Sequence, residues 1–438
     1  MGLLYLLLAW YGFGGMITSD TYWTFPGSIV SVAKIIDELL ILILLGKIVL
    51  NFRTHSKYIS TFAKLFCVII IFTVFISSII NQVSPIVMLE FLFRYGKGLI
   101  IFIYVQMFLK INKKYLENIF NYLRGFVVLQ FIVNGLWVLN ITIIPNRMLF
   151  DRADWAEGTL GSVLHVGILT SIVLSGSVFS LLMKKGFSKA RILELIFFVI
   201  CIIQLIWVDG KHLYFLVPAI ILLQLFSISN RIIRTKMIIY SLLILFAVLP
   251  YYRTLIRYYN DNYTRGKNLM LVSPKGLAYY NSFVTIPNEV PVGLIGAGPG
   301  KAGSFIGKED ESYLTEKYFS RYDTPILRVG NSITTMPYTG INTIQSELGY
   351  FGTGIFIIMI ILVVRKLWRS NKINVNTRNF SPIYQSDFIS YFCILFFVFE
   401  NIMTDLLQSS FIPILIWLII SISYLKYTPP SQPKLNSI

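Results

Sequence analysis

Residues 61–80, TFAKLFCVIIIFTVFISSII, form an apolar run of 20 residues in which Lys64 is the single charged residue. Folded as an α-helix, a run of this length crosses the ~30 Å hydrocarbon core of a bilayer. Polar connectors precede and follow it along the chain. The run therefore predicts a transmembrane helix.

The same pattern recurs along the 438 residues, of which 55% are apolar and 13% charged, about half the ~25% charged residues of soluble domains. This composition excludes a cytosolic enzyme, and the 15% of aromatic residues argue against disorder. We predict an all-α, polytopic membrane protein with about twelve transmembrane helices. The predicted spans are 3–18, 28–50, 61–80, 86–109, 118–144, 159–183, 191–208, 212–229, 237–252, 341–364, 387–407 and 411–427.

The formal net charge of +17 lies mainly in the connectors, which argues against a nucleic-acid partner. One set of alternating connectors carries 20 lysines and arginines, whereas the opposite short connectors carry three. Positive residues accumulate on the cytoplasmic side of membrane proteins. We therefore expect the first set, with both termini, in the cytoplasm. No signal peptide is expected, because residues 1–17 lack a basic beginning.

A connector of about 86 residues, 253–338, separates the ninth predicted span from the tenth. Loops longer than about 15 residues are usually functional or disordered. The glycine, proline and tyrosine content of this one favours a small ordered cap with short helices on the outer, periplasmic or extracellular, surface. The predicted domains are a bundle of spans 1–9 (1–252), the external cap loop (253–338) and a bundle of spans 10–12 (339–438).

Motifs for common cofactors are missing. The three cysteines and three histidines are scattered, which argues against a zinc site or a disulfide framework. The glycine-rich stretch 293–303 lacks the Gly-Lys-Ser/Thr of a phosphate-binding loop, because Ala302 follows Lys301. We expect no metal and no other cofactor, and we interpret the stretch as a tight turn that packs the cap onto the spans.

Charged residues inside the fourth predicted span form one group. Glu90, Arg94 and Lys97 are spaced by four and three residues, which places them on one helical face. Charges within a membrane are costly and usually face a partner or a cavity. The group is either an ion pair that fixes helix packing or a site where Arg94 meets an anionic ligand.

Four more cations stand at predicted outer ends of spans: Arg152, Lys211, Arg253 and Arg257. Arg253 and Arg257 share a helical face, and the guanidinium group of arginine offers paired donors suited to phosphate oxygens. Each cation also fits a simpler role in a solvated turn or as an interfacial anchor. His212, next to Lys211, is expected to be a packed interface histidine.

Glu347 lies one or two turns inside the tenth predicted span. A carboxylate there either pairs with one of the arginines or acts as a general base, since partial burial would raise its pKa toward the range useful for proton transfer. Both roles remain open from the sequence.

Two short motifs lie close to these charges, GAGPG at 296–300 and ELGYFG at 347–352. Together with about ten to twelve spans and one large, late outer loop, they resemble the O-antigen ligase/polymerase superfamily. Members of that family transfer glycans from undecaprenyl pyrophosphate at the outer face of the bacterial inner membrane, without a nucleotide sugar and without metal. The resemblance covers most of the chain in architecture and implies the same location here.

The resemblance also implies roles for residues. Arginines in the outer loops of the family contact the pyrophosphate, and the matching positions here, with Arg94 added, are Arg94, Arg152, Lys211, Arg253 and Arg257. Glu347 and Arg152 are the candidate catalytic residues, and Trp155 and Tyr338 are candidates for contacting the glycan. Family ligases carry a His-Asn pair about nine residues before the glutamate, where this chain has Tyr338 and Thr339. The missing pair favours a repeat-unit polymerase over a ligase.

Several functions remain alternatives. A ligase and a transferase with a polyprenyl-phosphate-sugar donor are both enzymatic, although Asp20 is the only acid in the first outer loop. A transporter of lipid-linked oligosaccharides usually has paired repeats and short loops, and no repeat is visible here. The expected partners are undecaprenyl-pyrophosphate-linked oligosaccharides, membrane lipids and a polysaccharide chain-length regulator.

Overall fold

A computed structural model describes residues 2–18, 27–108, 113–138, 160, 163–183, 188–208, 212–251, 279–302, 327–329, 332–334, 339–376, 382–403 and 412–425. Most of these residues are helical. The first six long helices are α1 (Gly2–Thr18), α2 (Gly27–His55), α3 (Thr61–Ile80), α4 (Pro85–Phe108), α5 (Lys113–Val138) and α6 (Val163–Met183). The next six are α7 (Lys189–Val208), α8 (Leu213–Leu223), α9 (Arg231–Val248), α10 (Gly340–Asn376), α11 (Pro382–Met403) and α12 (Ile412–Leu425).

Short elements complete the described chain. Turns of 3-10 helix occupy Ser56–Tyr58, Gln224–Ser227 and Leu249–Tyr251, and in the predicted cap a π-helical turn, Asn281–Thr285, leads into one α-helical turn, Ile286–Glu289. Strands β1 (Leu327–Val329) and β2 (Ser332–Thr334) pair antiparallel, with Arg328 opposite Ile333. The prediction of short helices in the cap did not include this hairpin.

Side chains outside the helices fix where two of them begin. The Ser60 hydroxyl accepts a hydrogen bond from the Ala63 main-chain nitrogen at the beginning of α3. The Asn230 side chain accepts from the main-chain nitrogens of Ile232 and Ile233 at the beginning of α9. Both residues occupy the capping position, where a side-chain oxygen satisfies free main-chain N–H groups.

Six helices of the described chain are long and apolar enough to cross a membrane by length and composition. They cover Glu38–Tyr58, Thr61–Ile80, Glu117–Leu136, Leu164–Met183, Lys189–Val208 and Gly340–Lys372. The all-α class and the multi-pass character are therefore confirmed. A helix lies on each of the twelve predicted spans within the described residues, but the number that cross, the side on which the loop 253–338 lies and the location of the termini stay predictions.

The helices enclose a core in which α6 is central. Every residue from 166 to 182 is buried, and α6 packs against α7 and α11. Around it, α10 lies against α3 and α11, and α12 lies between α4 and α11. This arrangement brings α3, α4 and the beginning of α10 together, where the candidate site lies.

Candidate functional site

Helix α10 is broken at Gly349. This residue has φ 65° and ψ −165°, outside the helical region, and separates a first half (340–348) from a second half (350–376). A helix end leaves main-chain carbonyl or N–H groups without partners inside the helix. Within a membrane, such groups need partners from elsewhere in the protein.

Residues 293–300, called here the glycine loop, supply those partners. The Ala297 nitrogen donates to the Ser346 carbonyl at 2.8 Å, and the Gly298 nitrogen donates to the Glu347 carbonyl at 3.0 Å. In return, the Phe351 nitrogen donates to the Leu294 carbonyl at 3.0 Å. The loop thus bonds to both sides of the break, which confirms the prediction of a tight turn packed onto the spans.

Glycine is required on both sides of this contact. Gly296 and Gly298 have φ values of +79° and +96°, in the region that residues with a side chain rarely adopt. A Cβ atom on Gly296 would lie 2.4 Å from the Gly349 nitrogen, and a Cβ atom on Gly349 would lie 2.4 Å from the Gly296 nitrogen. Two main chains therefore meet at a distance that only a pair of glycines permits.

The end of α3 holds the glycine loop from the other side. The Ser77 hydroxyl donates to the Ile295 carbonyl at 3.0 Å and to the Glu347 carbonyl at 3.1 Å, and the Asn81 amide donates to the Gly296 carbonyl at 3.0 Å. Ser77 is fully buried. Its hydroxyl thus joins α3, the glycine loop and α10 at one point.

Replacing Ser77 with alanine should destabilise the protein by about 1–3 kcal/mol, because a buried hydrogen-bond donor to two carbonyls is removed. The measurement is thermal unfolding of detergent-purified protein. Thr235→Ala is the matched control, since the Thr235 hydroxyl makes an exposed bond to the Arg231 carbonyl of its own helix. Equal unfolding temperatures for the two variants would contradict this role of Ser77.

The Glu347 side chain is fully buried, with 0% exposure. It stands on the half-helix 340–348, directly beside the glycine loop, and its neighbours Gln345 and Ser346 are equally buried. Complete burial separates its carboxyl group from bulk water. Of its two predicted roles, the arrangement favours the counter-charge over the general base, because a base must reach a substrate hydroxyl.

An apolar groove with a volume of about 90 Å³ begins at the half-helix 340–348. It is called here the groove. Along α10 it follows one face through Ile344, Leu348, Gly352, Ile355 and Met359. The 15 steps from Ile344 to Met359, at 1.5 Å each, correspond to roughly 22 Å. Its other walls come from α3, α4, α11 and α12 and include the rings of Phe91, Tyr95, Phe397 and Trp417.

The charged group on α4 forms the ion pair that its spacing predicted. The Arg94 guanidinium lies 2.8 Å from a Glu90 carboxylate oxygen, and both side chains are about one third exposed. The Lys97 side chain is buried, with its ammonium group 5.6 Å from the centre of the Phe93 ring. Arg94 precedes Tyr95 of the groove wall, and its contact with an anionic ligand stays a prediction.

The cap segment 279–302 is tied to the helices by hydroxyl groups. The Ser346 and Ser282 hydroxyls are 2.8 Å apart, and the Tyr350 hydroxyl donates to the Phe283 carbonyl. The Tyr279 hydroxyl donates to the Ile402 carbonyl at the end of α11. Burial raises the pKa of the Tyr279 phenol, partly offset by its hydrogen bond with Thr339, so the group stays protonated and keeps donating near neutral pH.

One pair of residues was not predicted. The His212 Nε2 atom lies 2.6 Å from a Glu400 carboxylate oxygen, with side-chain exposures of 15% and 0%. The packed position expected for His212 is confirmed, but its partner is 188 residues away along the chain. No spacing in the sequence connects α8 with α11, so no local signal would have found the pair.

The other predicted site residues fall outside the described chain. These are Arg152, Trp155, Lys211, Arg253, Arg257 and Tyr338. Whether they meet Glu347 stays a prediction. Within the described residues, no group of three or more His, Cys, Asp or Glu is arranged to hold a metal ion.

The structure brings the two quoted motifs, GAGPG and ELGYFG, into direct main-chain contact. In the sequence, 46 residues separate the end of the first motif from the beginning of the second. No protein-family model matches the chain, and no curated protein sequence matches it at a significant level.

Proposed function

We propose that the chain is a membrane glycosyltransferase that joins undecaprenyl-pyrophosphate-linked oligosaccharide units at the outer face of the bacterial inner membrane. In this proposal it is a polysaccharide repeat-unit polymerase similar to the O-antigen ligase/polymerase superfamily. The polymer would be an O-antigen or a capsule.

One observation carries the proposal: the glycine loop is bonded into the break of α10, beside the buried Glu347. These are the two segments on which the resemblance rests. Hydrogen bonds that lock them together fix a rigid frame at one end of the helices. Rigid frames of this kind hold charged side chains in position while a reaction proceeds.

The groove supports a substrate with a long apolar tail. It begins at Ile344 and Leu348, next to Glu347, and is almost entirely lined by apolar side chains. With the isoprene units nearest the pyrophosphate lying there, the pyrophosphate would stand at the end of the groove nearest the glycine loop. Lateral entry from the bilayer would then not require the lipid to leave the membrane.

In the proposed reaction, the protein must stabilise the pyrophosphate leaving group. When the bond between the anomeric carbon and the pyrophosphate breaks, negative charge grows on the pyrophosphate oxygens. Cations placed there bind the transition state more tightly than the ground state, which accelerates the reaction. We assign this role to the predicted pyrophosphate-binding cations Arg94, Arg152, Lys211, Arg253 and Arg257. We assign Glu347 the counter-charge that positions one of them.

A second candidate function is transport of the lipid-linked oligosaccharide, since a broken helix such as α10 is common in transporters. Transporters often bind substrate at broken helices, where the free main-chain groups contact the ligand. Here the Ser346, Glu347 and Phe351 main-chain groups at the break are taken by the glycine loop. A break already filled by protein suits a structural frame better than a transport site.

Deletion of the gene, followed by electrophoresis of the surface glycan, tests the proposal. Loss of a polymerase leaves single repeat units on the acceptor, loss of a ligase leaves none transferred, and loss of a transporter leaves units on the cytoplasmic side. Only the first result supports the proposal, and either of the others overturns it.

The Glu347→Gln variant should shorten the polymer strongly without lowering the amount of protein in the membrane, because it removes a buried charge while keeping the size of the side chain. Glu117→Gln, at an exposed position on α5, is the matched control and should leave chain length unchanged. The same assay applies to Arg152→Ala, Arg253→Ala and Arg257→Ala. Full-length polymer from all four would remove these residues from the site.

A further inference from the structure

In the His212–Glu400 pair, the buried Glu400 holds the His212 ring, and the ring stays partly exposed. Glu400 is fully buried on α11, and His212, at the beginning of α8, keeps 15% of its side chain exposed. Their 2.6 Å contact fixes the imidazole ring from one side only. A histidine held in this way combines a defined orientation with access from outside.

The contact also selects the form of the ring. A carboxylate next to Nε2 accepts a hydrogen bond from the protonated Nε2 nitrogen, which leaves Nδ1 with its lone pair. A buried carboxylate that orients a histidine also stabilises the charged ring formed when the other nitrogen takes a proton. The arrangement is therefore that of a general base with its orienting acid.

The pair lies at the same end of the helices as the glycine loop. Tyr279 links the end of α11 to the beginning of α10, since its hydroxyl bonds to the Ile402 carbonyl and interacts with Thr339. Glu400 is two residues from Ile402, and Thr339 precedes the half-helix 340–348 that carries Glu347. His212 also directly follows Lys211, to which the pyrophosphate was assigned.

We propose that His212 is the general base that accepts the proton of the acceptor sugar hydroxyl, and that Glu400 positions it. The inference rests on the proposed function. In the step, the hydroxyl proton moves to Nδ1 and the oxygen electron pair forms a bond to the anomeric carbon of the donor. The bond from that carbon to the pyrophosphate breaks, and its electron pair leaves on the pyrophosphate oxygen. The proton then passes from the imidazolium to the released pyrophosphate or to water.

Other titratable groups near α8 are few among the described residues. On α6, which contacts α8, His165 lies two residues before Gly167, whose Cα faces Leu213 of α8. On α9, the cations Arg231, Arg234 and Lys236 lie at its beginning, next to the end of α8 and not to His212. Asp209 and Lys211, adjacent in sequence, lie outside the described residues.

The test measures polymerisation by membrane vesicles that contain the full chain and purified lipid-linked repeat units, over a range of pH. His212→Gln keeps an amide donor for Glu400 but cannot take a proton, so its rate should fall about 10²–10⁴-fold. The wild-type rate should fall as the medium is acidified, because the base becomes protonated, and this acid limb should vanish in the variant. Added imidazole should restore part of the rate of His212→Ala.

Two comparisons complete the design. Glu400→Gln should retain the acid limb with a lowered rate, as expected of a positioning residue. His55→Ala should match the wild type. His55 is the last residue of α2, and its ring contacts the Thr54 hydroxyl. A His212→Gln rate within threefold of wild type, or a His212→Ala rate that imidazole leaves unchanged, overturns this inference alone. Wild-type vesicles that make no polymer overturn the proposed function as well.

Discussion

Replacing Gly349 with alanine is expected to prevent stable folding. The residue has φ 65° and ψ −165°, a conformation almost restricted to glycine, which costs other residues about 1–3 kcal/mol. The added Cβ atom would lie 2.4 Å from the Gly296 nitrogen and from the Leu294 carbonyl oxygen, so the glycine loop must move away. Loss of its buried hydrogen bonds costs about 1–3 kcal/mol for each unmet group.

Thermal unfolding of detergent-purified protein checks this expectation. Gly354→Ala, five residues further along α10, is the matched control, since a Cβ atom there meets nothing within 4 Å. It should be neutral or stabilising by up to about 1 kcal/mol, the difference in helix propensity. Gly296→Ala should behave like Gly349→Ala, and the double variant should be less damaged than the sum, because both changes break one contact. Equal stability of Gly349→Ala and Gly354→Ala would contradict the arrangement.

Removing Arg124 alone should be the second most damaging change. Its guanidinium donates to both carboxylate oxygens of Glu194, at 2.7 and 2.9 Å, and lies over the Phe197 ring. Glu194 is 4% exposed, so Arg124→Met leaves a buried carboxylate without this partner. Breaking a buried ion pair from one side typically costs about 3–5 kcal/mol.

The double variant Arg124→Met/Glu194→Leu isolates the cause. Apolar side chains of similar volume often replace a buried ion pair without loss of stability. Its unfolding temperature should therefore return close to that of the wild type. Arg94→Met is the exposed counterpart, because the Arg94–Glu90 pair is about one third exposed and such pairs contribute about 0–1 kcal/mol. A single variant as stable as the double one would show that the charge of Glu194 is not the cause.

The helices could be predicted because each apolar run is by itself long enough to cross a membrane as a helix. Their ends were less well predicted: α10 continues to Asn376, although the predicted span stops at 364. Arg365, Lys366 and Arg369 end the apolar run but not the helix, since long cationic side chains reach polar surroundings while the main chain stays helical. Hydropathy therefore locates the part of a helix in lipid and not its end.

The candidate site was predictable only where its parts are local. The Glu90–Arg94 ion pair follows from a spacing of four, and the positive φ values of Gly296 and Gly298 follow from a glycine-rich stretch. Contact of that stretch with Gly349, and of His212 with Glu400, joins segments far apart in the chain. Those pairings depend on how the helices pack, which no local pattern records.

The burial of α6 has a consequence for biogenesis. Inserted in chain order, this helix reaches the bilayer before α11, which packs against it in the finished protein, is synthesised. It therefore first meets lipid on a face that the finished protein hides. Three of its hydroxyl groups, on Thr170, Ser171 and Ser175, donate to main-chain carbonyls of their own helix. The three hydroxyl donors are thus already hydrogen-bonded when the helix lies in the bilayer. Packing of the later helices against it does not require these hydrogen bonds to change.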